Sequence, residues 1–297
     1  MQKPFKIALA LLLAVLMFLS VGCETPRISL CAPTERPVDE RALTVTFFDV
    51  GQAESVLVTC GGESMLVDGG SADNGAMLSR ALTDRGIASL TVAAVTHGHV
   101  DHVGGLPAIL QEHPAELLFI GSDTSDNAVY TAFLEDFGAE AIPVRRGDSW
   151  SLGQATVRVL WPTAFSDGGN NDSLVLLITF GSVSFLLTGD IEQAAESALC
   201  EWEDDLTVTV LDVPHHGSDT SSSYRFLRET LPKIAVCSVG KNNNYGHPAE
   251  AVLSRYAQVP ATLFRTDLDG TVVCTVVSQD GRDVLTVRGG NRSIVVR

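Results

Sequence analysis

Three imidazoles and one carboxylate fall within six residues at His97-Gly98-His99-Val100-Asp101-His102, directly after the apolar run Thr91 to Val95. At the carboxyl end of a buried strand, a His-x-His-x-Asp-His run can aim its side chains at two neighbouring cations. His97 and His99 would take one, Asp101 and His102 the other. The remaining histidines agree. Of the seven in the chain, His215 and His216 precede Gly217, His247 follows Gly246, and only His113, before Pro114, stands apart. Paired divalent cations are a means of activating water for hydrolysis.

The elements around these residues place them all at strand ends. Strands are predicted over 43–49, 54–59 and 64–67, with a Gly61-Gly62 hairpin turn and an Asp68-Gly69-Gly70 ending. An amphipathic helix over 76–85, closed by Gly86, leads to the strand that delivers the histidine loop. Helix 104–112, strand 116–120, helix 128–137 and strand 155–161 follow. Two apolar strands, 173–180 and 183–187, run into Thr188-Gly189-Asp190. A helix from Ile191 to about Trp202 leads to strand 206–213, which ends in Pro214-His215-His216-Gly217-Ser218. A further helix and strand run out to Tyr245-Gly246-His247-Pro248, and 271–296 is again strand-like. Two runs of strands, each followed by alternating helix and strand, predict an α/β protein arranged as an αββα four-layer sandwich.

With 297 residues and 45% hydrophobic content the chain can bury a large core. Residues 1–22 read as an export signal: Lys3 and Lys6, an apolar run from Ile7 to Leu19, then small residues. Cys23 after Gly22 resembles the bacterial lipobox, which implies a lipid-anchored protein on the outer face of the cytoplasmic membrane, or otherwise a secreted one. Residues 23–41 would be a flexible tether and 42–297 the hydrolase domain. Without the leader, 18 basic and 36 acidic side chains remain, a formal charge of about −18 that opposes tight binding of long polyanions. Beyond Cys23, the cysteines Cys31, Cys60, Cys200, Cys237 and Cys274 permit one bridge, while Cys237 and Cys274 suit buried free thiols.

Seven segments in order resemble the metallo-β-lactamase fold, and more narrowly the soluble metallohydrolase domain of ComEC-type DNA-uptake proteins. They are Phe48-Asp49-Val50-Gly51-Gln52, Leu66-Val67-Asp68-Gly69-Gly70, the histidine loop, Asn171-Asp172-Ser173-Leu174-Val175-Leu176-Leu177, Leu186-Leu187-Thr188-Gly189-Asp190, Val213-Pro214-His215-His216-Gly217-Ser218 and Tyr245-Gly246-His247-Pro248. The resemblance implies two divalent metal ions, zinc or manganese. It implies His97 and His99 as first-site ligands, Asp101 and His102 as second-site ligands, and Asp190 as the carboxylate bridging both. Asp68 would orient a histidine from behind. Either His215 or His216 would complete the second site; His216 is favoured, leaving His215 for substrate contact or proton transfer. Many members of the fold take a third first-site histidine from the loop before the Asp190 hairpin, where this chain reads Gly168-Gly169-Asn170-Asn171-Asp172-Ser173. Asn171 would be a weak oxygen ligand or a substrate contact there.

The expected activity is metal-dependent hydrolysis, as a phosphodiesterase or nuclease with weak DNA affinity. Alternatives are hydrolysis of another exported ester, such as a phosphocholine-bearing wall polymer, or a silent surface-binding lipoprotein. Asp101, His215 and His247 are the candidate catalytic side chains. His247 precedes Pro248, a favoured first helical residue, and would sit at a helix amino terminus that welcomes anions. Ser218 and Tyr245 are candidate substrate or supporting residues, and Lys241, Arg265 and Thr266 are weaker candidates for phosphate.

Overall fold

A computed structural model of the chain describes residues 29–30, 42–121, 127–163, 169–203, 205–279 and 281–296. The expected signal peptide, and all of the expected tether except residues 29–30, lie outside these. Ser29–Leu30 (β1) pairs in parallel with Ser149–Leu152 (β8).

One sheet is built from Ala42–Phe47 (β2), Val56–Cys60 (β3), Glu63–Val67 (β4), Leu90–Val95 (β5), Ala115–Ile120 (β6), Ala141–Pro143 (β7), Val272–Gln279 (β15), Arg282–Gly289 (β16) and Arg292–Val296 (β17). Its order is β17-β16-β15-β2-β3-β4-β5-β6-β7. The second adds Ala155–Trp161 (β9), Val175–Phe180 (β10), Val183–Leu187 (β11), Val210–Asp212 (β12), Ile234–Cys237 (β13) and Thr262–Arg265 (β14), in the order β1-β8-β9-β10-β11-β12-β13-β14. Alternation decides which faces meet. In β2, Leu43, Val45 and Phe47 are fully buried, and they join Val157, Ile178, Phe185 and Val236 of the other sheet in one core. Helices cover the outer faces. Leu78 and Leu82 of Gly75–Asp84 (α1), Ile109 of Leu106–Glu112 (α3) and Phe133 of Ala128–Phe137 (α4) pack on the first sheet. Leu199 of Gln193–Trp202 (α5), Phe226 of Tyr224–Thr230 (α6) and Val252 of Glu250–Tyr256 (α7) pack on the second. The four-layer αββα arrangement is therefore present.

Parallel pairing occurs where the chemistry is. β4, β5 and β6 run parallel in one sheet, and β11, β12, β13 and β14 in the other, so their carboxyl ends open on one side. Several expected bounds shift. The expected 104–112 helix begins at Leu106, as α3, and a separate, unpredicted helical turn, Val100–Val103 (α2), starts inside the histidine motif. The 206–213 strand shortens to β12. Pro248 is not the first helical residue, because α7 starts at Glu250 with Ala249 as its cap. The edge strands β7 and β14 and the short β8, between β1 and β9, carry weak periodicity and were not predicted. Cys60, Cys237 and Cys274 are buried and unpaired in β3, β13 and β15, and Cys200 is also a free thiol.

Candidate metal centre

The first sheet supplies the histidine loop already braced. Asp68, fully buried at the end of β4 with φ at +57°, accepts from the Thr96 amide (2.8 Å) and the Thr96 hydroxyl (2.6 Å), and its Oδ2 lies 2.7 Å from His102 Nδ1. The two turns are also joined backbone to backbone. Gly69 N donates to His102 O at 2.7 Å and Gly105 N to Gly70 O at 3.0 Å. A Cβ on Gly105 would stand 2.1 Å from the Gly69 carbonyl oxygen, so only glycine allows this approach. His97 Nδ1 lies 3.1 Å from Thr96 Oγ1 and 3.2 Å from Ser173 Oγ, the latter also accepting from Asp190 N.

The second sheet supplies the other half. Asp190 follows β11, and His215 and His216 follow β12 with left-handed backbones, φ at +51° and +53°. Such conformations cost energy in non-glycine residues and persist where the surroundings fix them. His216 Nδ1 lies 2.8 Å from Ser238 O, so its Nε2 faces inward.

Asp190 is the point at which the halves meet. Its Oδ1 lies 3.2 Å from His102 Nε2 and 3.6 Å from His216 Nε2, while Oδ2 lies 3.7 Å from both His97 Nε2 and His215 Nε2. Asp101 Oδ2 is 3.7 Å from His216 Nε2. Two donor sets meet at Asp190, His97-His99-Asp190 and Asp101-His102-His216, each with its ligand atoms within 4.8 Å of one another; a third such set, Glu54-Asp68-His102, lies behind His102 on its Nδ1 side. His97 Nε2, His102 Nε2, His216 Nε2 and Asp190 Oδ1 are buried without a hydrogen-bond partner. Buried polar atoms are rarely left so, and three imidazole nitrogens that converge on one carboxylate, itself with an unpartnered oxygen, fit divalent cations of the kind imidazole and carboxylate bind.

The electrostatics point the same way. Burial drives the Asp190 carboxyl up, but His102 and His216 outweigh it and hold the group well below the usual carboxylate range. Burial also opposes ionisation of Asp101, yet the contact with His216 and the charge of His102 bring it to about 2. Burial lowers His102 and His216, and Asp190 more than reverses this, taking His216 to about 9 and His102 well above the ordinary value. His97 is pushed well down by burial and by His102. The ionised acids thus demand positive charge, which protons or cations can supply.

A cavity of about 340 Å³ opens onto the donors, walled by Gln52, His99, Val100, Asp101, Asn127, Asn170, Asp190, His215, His216, Tyr245 and His247. Tyr245 is 72% exposed at its rim and stacks on His247 with centroids 5.6 Å apart. A larger cavity of about 560 Å³, between Thr44, Arg85 and Ser89, shares none of these residues and has no comparable donor cluster.

His97, His99, Asp101, His102, Asp190, His215, His216, Tyr245 and His247 are therefore brought together. Other candidates are engaged elsewhere. Asn171 Oδ1 accepts from the Glu192 and Ala195 amides and caps α5, so Asn170, not Asn171, lines the cavity. Ser218 Oγ pairs with Thr220 Oγ1 at 2.9 Å. Arg265 is held by Asp267, with guanidinium contacts of 3.0 and 2.7 Å. The buried Thr266 hydroxyl accepts from Val239 N and donates to Val239 O, which excludes it from phosphate contact. Lys241 is exposed and outside the cavity wall. His247 is not at a helix end; Asn243 holds its loop, accepting from the His247 amide and donating to its carbonyl.

Sequence reasoning missed Glu54, Asp212 and Glu192. Glu54 and Asp212 face each other beneath the centre, where burial raises both, Glu54 further through the Asp212 charge and Asp212 to about 7. Glu192 Oε1 lies 3.3 Å from His215 Nδ1, as an ion-pair approach and not an aligned hydrogen bond. Its place two residues after Asp190 was the one signal available.

The pattern of the metallo-beta-lactamase superfamily matches residues 48–241. ComE operon protein 3 of Bacillus subtilis is 35% identical over 196 residues, which is 64% of this chain and 25% of that protein. Competence protein ComA of Neisseria gonorrhoeae is 32% identical over 241 residues, 79% of this chain and 32% of that one. The chain thus spans between a quarter and a third of the length of these relatives. The solved metallo-beta-lactamase fold protein YhfI of Bacillus subtilis is 14% identical, with a TM-score of 0.49 over 75% of this chain and 95% of that one. With a family pattern that runs from the Asp49 turn to the loop after β13 and takes in both donor sets, the chain belongs to the metallo-beta-lactamase superfamily.

Proposed function

We propose that this superfamily hydrolase cleaves phosphodiesters at a two-cation centre. The observation that carries the reading is the division of Asp190, one oxygen turned to His97 and the other to His102 and His216. In this reading His97, His99 and Asp190 hold one zinc or manganese ion, and Asp101, His102, His216 and Asp190 hold the second. When bound, the pair supplies Lewis acidity, acidifying water and screening charge on the substrate oxygens.

The chain's own side chains supply the rest. Asp68 and the Ser238 carbonyl fix the His102 and His216 rings, so that neither turns during a reaction cycle. Asp101, brought to about 2, stays ionised and can accept a proton-bearing partner. His247 is the candidate proton donor to the leaving group. Burial, His215 and His216 lower its pKa, so its charged form is a minor species at neutral pH and a correspondingly strong acid. Tyr245, Val100 and Asn127 border the cavity and would position the ester.

The competence name of a relative that covers most of this chain favours a nucleic-acid phosphodiester. The formal charge of −16 favours a second reading, a compact substrate such as a phosphocholine-bearing ester. Assaying the purified domain with manganese or zinc on single-stranded DNA, a chromogenic phosphodiester and a phosphocholine ester separates them. Turnover of the first two, lost in Asp190→Ala, is expected. Absence of turnover with either metal on every substrate would sink the hydrolase reading, and turnover of the phosphocholine ester alone would select the second.

A further inference from the structure

We infer that His215, held by Glu192, is the third imidazole of the first cation centre, in place of the histidine that the loop before β10 lacks. The inference rests on the two-cation reading above. Without His215 the centres are unequal: Asp101, His102 and His216 join Asp190 at one, and only His97 and His99 join it at the other. His215 Nε2 lies 3.7 Å from Asp190 Oδ2, the same separation that His97 Nε2 keeps from that oxygen. Donors on one tetrahedral cation with bonds near 2.1 Å stand about 3.4 Å apart, close to both separations. His215 lies outside the set of His97, His99 and Asp190 whose ligand atoms are all within 4.8 Å of one another, so its ring must swing toward the two histidines for all four to share one ion.

The way the ring is held supplies the second argument. His97, His102 and His216 follow one pattern, an oxygen at Nδ1 from outside and Nε2 directed at Asp190. His215 repeats it. Glu192 Oε1 lies 3.3 Å from its Nδ1, and a carboxylate there favours the tautomer with the proton on Nδ1 and a lone pair on Nε2. Glu192 is itself fixed, because Oε1 accepts from Thr220 Oγ1 at 2.9 Å and from Asn170 Nδ2 at 3.2 Å, and its amide donates to Asn171 Oδ1. The loop that has lost a histidine ligand therefore still serves the first centre, through two asparagines that set the carboxylate behind a histidine from another strand. The consecutive left-handed residues complete the arrangement, sending His215 to one oxygen of Asp190 and His216 to the other.

The test is titration of the full chain with cobalt(II) chloride, reading bound metal, stepwise affinity by chelator competition, and visible absorption. His215→Gly suits the left-handed backbone and offers no donor; Glu192→Gln removes the charge behind the ring. The wild type is expected to bind about two ions. His215→Gly should hold about one at the same free cobalt, with the absorption of one centre lost. Glu192→Gln should still reach two, with one step weakened about 10- to 100-fold. Should His215→Gly fail to fold, the Glu192→Gln affinity decides alone. Two ions with unchanged affinities and spectrum in both variants would overturn the assignment while leaving the two-cation reading intact. Fewer than two in the wild type would overturn both.

Discussion

Two carboxylate-supported histidines approach Asp190 from opposite sheets, and they differ in how much water they meet. The Asp68–His102 pair has both side chains fully buried, whereas in the Glu192–His215 pair the side chains are 19% (His215) and 28% (Glu192) exposed. The chemistry is alike and the surroundings are not. Asp68 also ties down Thr96 and so fixes the end of β5, which makes it part of the fold as well as of the site. Glu192 gathers side chains from two surface loops and has no core duty. The first-sheet half is thus a rigid template, and the second-sheet half a finer adjustment placed on it.

The largest expected effect breaks the template. Asp68→Asn keeps a residue that tolerates φ near +57° but removes the charge facing His102, and should cost roughly 3 kcal/mol of unfolding free energy, with loss of bound metal. Glu192→Gln should cost under about 1 kcal/mol, because water screens a partly exposed pair. Denaturant melts of the two metal-free variants check the contrast. Equal losses would mean that burial does not separate the two supports.

The same contrast explains what could be read from the residues alone. The template half is contiguous: His97 to His102 lie in six residues, and strand alternation around them put every ligand at a strand end. The four layers followed from the order of periodic segments, since Leu43, Val45 and Phe47 must share a face wherever β2 lies. The second half is assembled by tertiary contact, which periodicity does not report. Asn170 and Asn171 are neighbours of the same type, yet one lines the cavity and the other caps α5, a choice made by the path of the loop. Glu54 and Asp212 come from different sheets and acquire meaning only as a buried pair. Pro248 misled because a proline suits a first helical turn, whereas here Ala249, the cap, stands between it and the start of α7.

A smaller effect sharpens the comparison through pH. In the metal-free protein Asp190 raises His216 to about 9, above the roughly 6.5 of an unfolded histidine. A raised folded value contributes stability that is complete below pH 6.5 and is lost as pH climbs through 9, on the order of 3 kcal/mol over that window. His102, raised by Asp190 and Asp68 against burial, has the same sign. Cations would take over the role of those protons, so metal-loaded protein should lack this alkaline loss. Thermal melts from pH 6 to 9, with chelator and with metal, test it. Parallel pH profiles in the two conditions would show that protons and cations do not compete for these imidazoles.

The smallest effect tests how loosely the second half is built. Asn171 Oδ1 accepts from the Glu192 and Ala195 amides at 3.0 and 3.2 Å, so Asn171→Ala removes the cap of α5 and one of the groups around the Glu192 carboxylate. Loss of an N-terminal cap costs about 1 kcal/mol. Because Thr220 and Asn170 still bind Glu192, His215 should keep its support and metal affinity should fall only about two- to threefold, well short of the 10- to 100-fold expected when the carboxylate charge itself is removed. A loss of metal affinity as large as that of Glu192→Gln would mean that the cap, and with it the start of α5, is what aims the carboxylate. The second-sheet half would then be as tightly constructed as the first, and exposure would be a poor guide to which support the centre can spare.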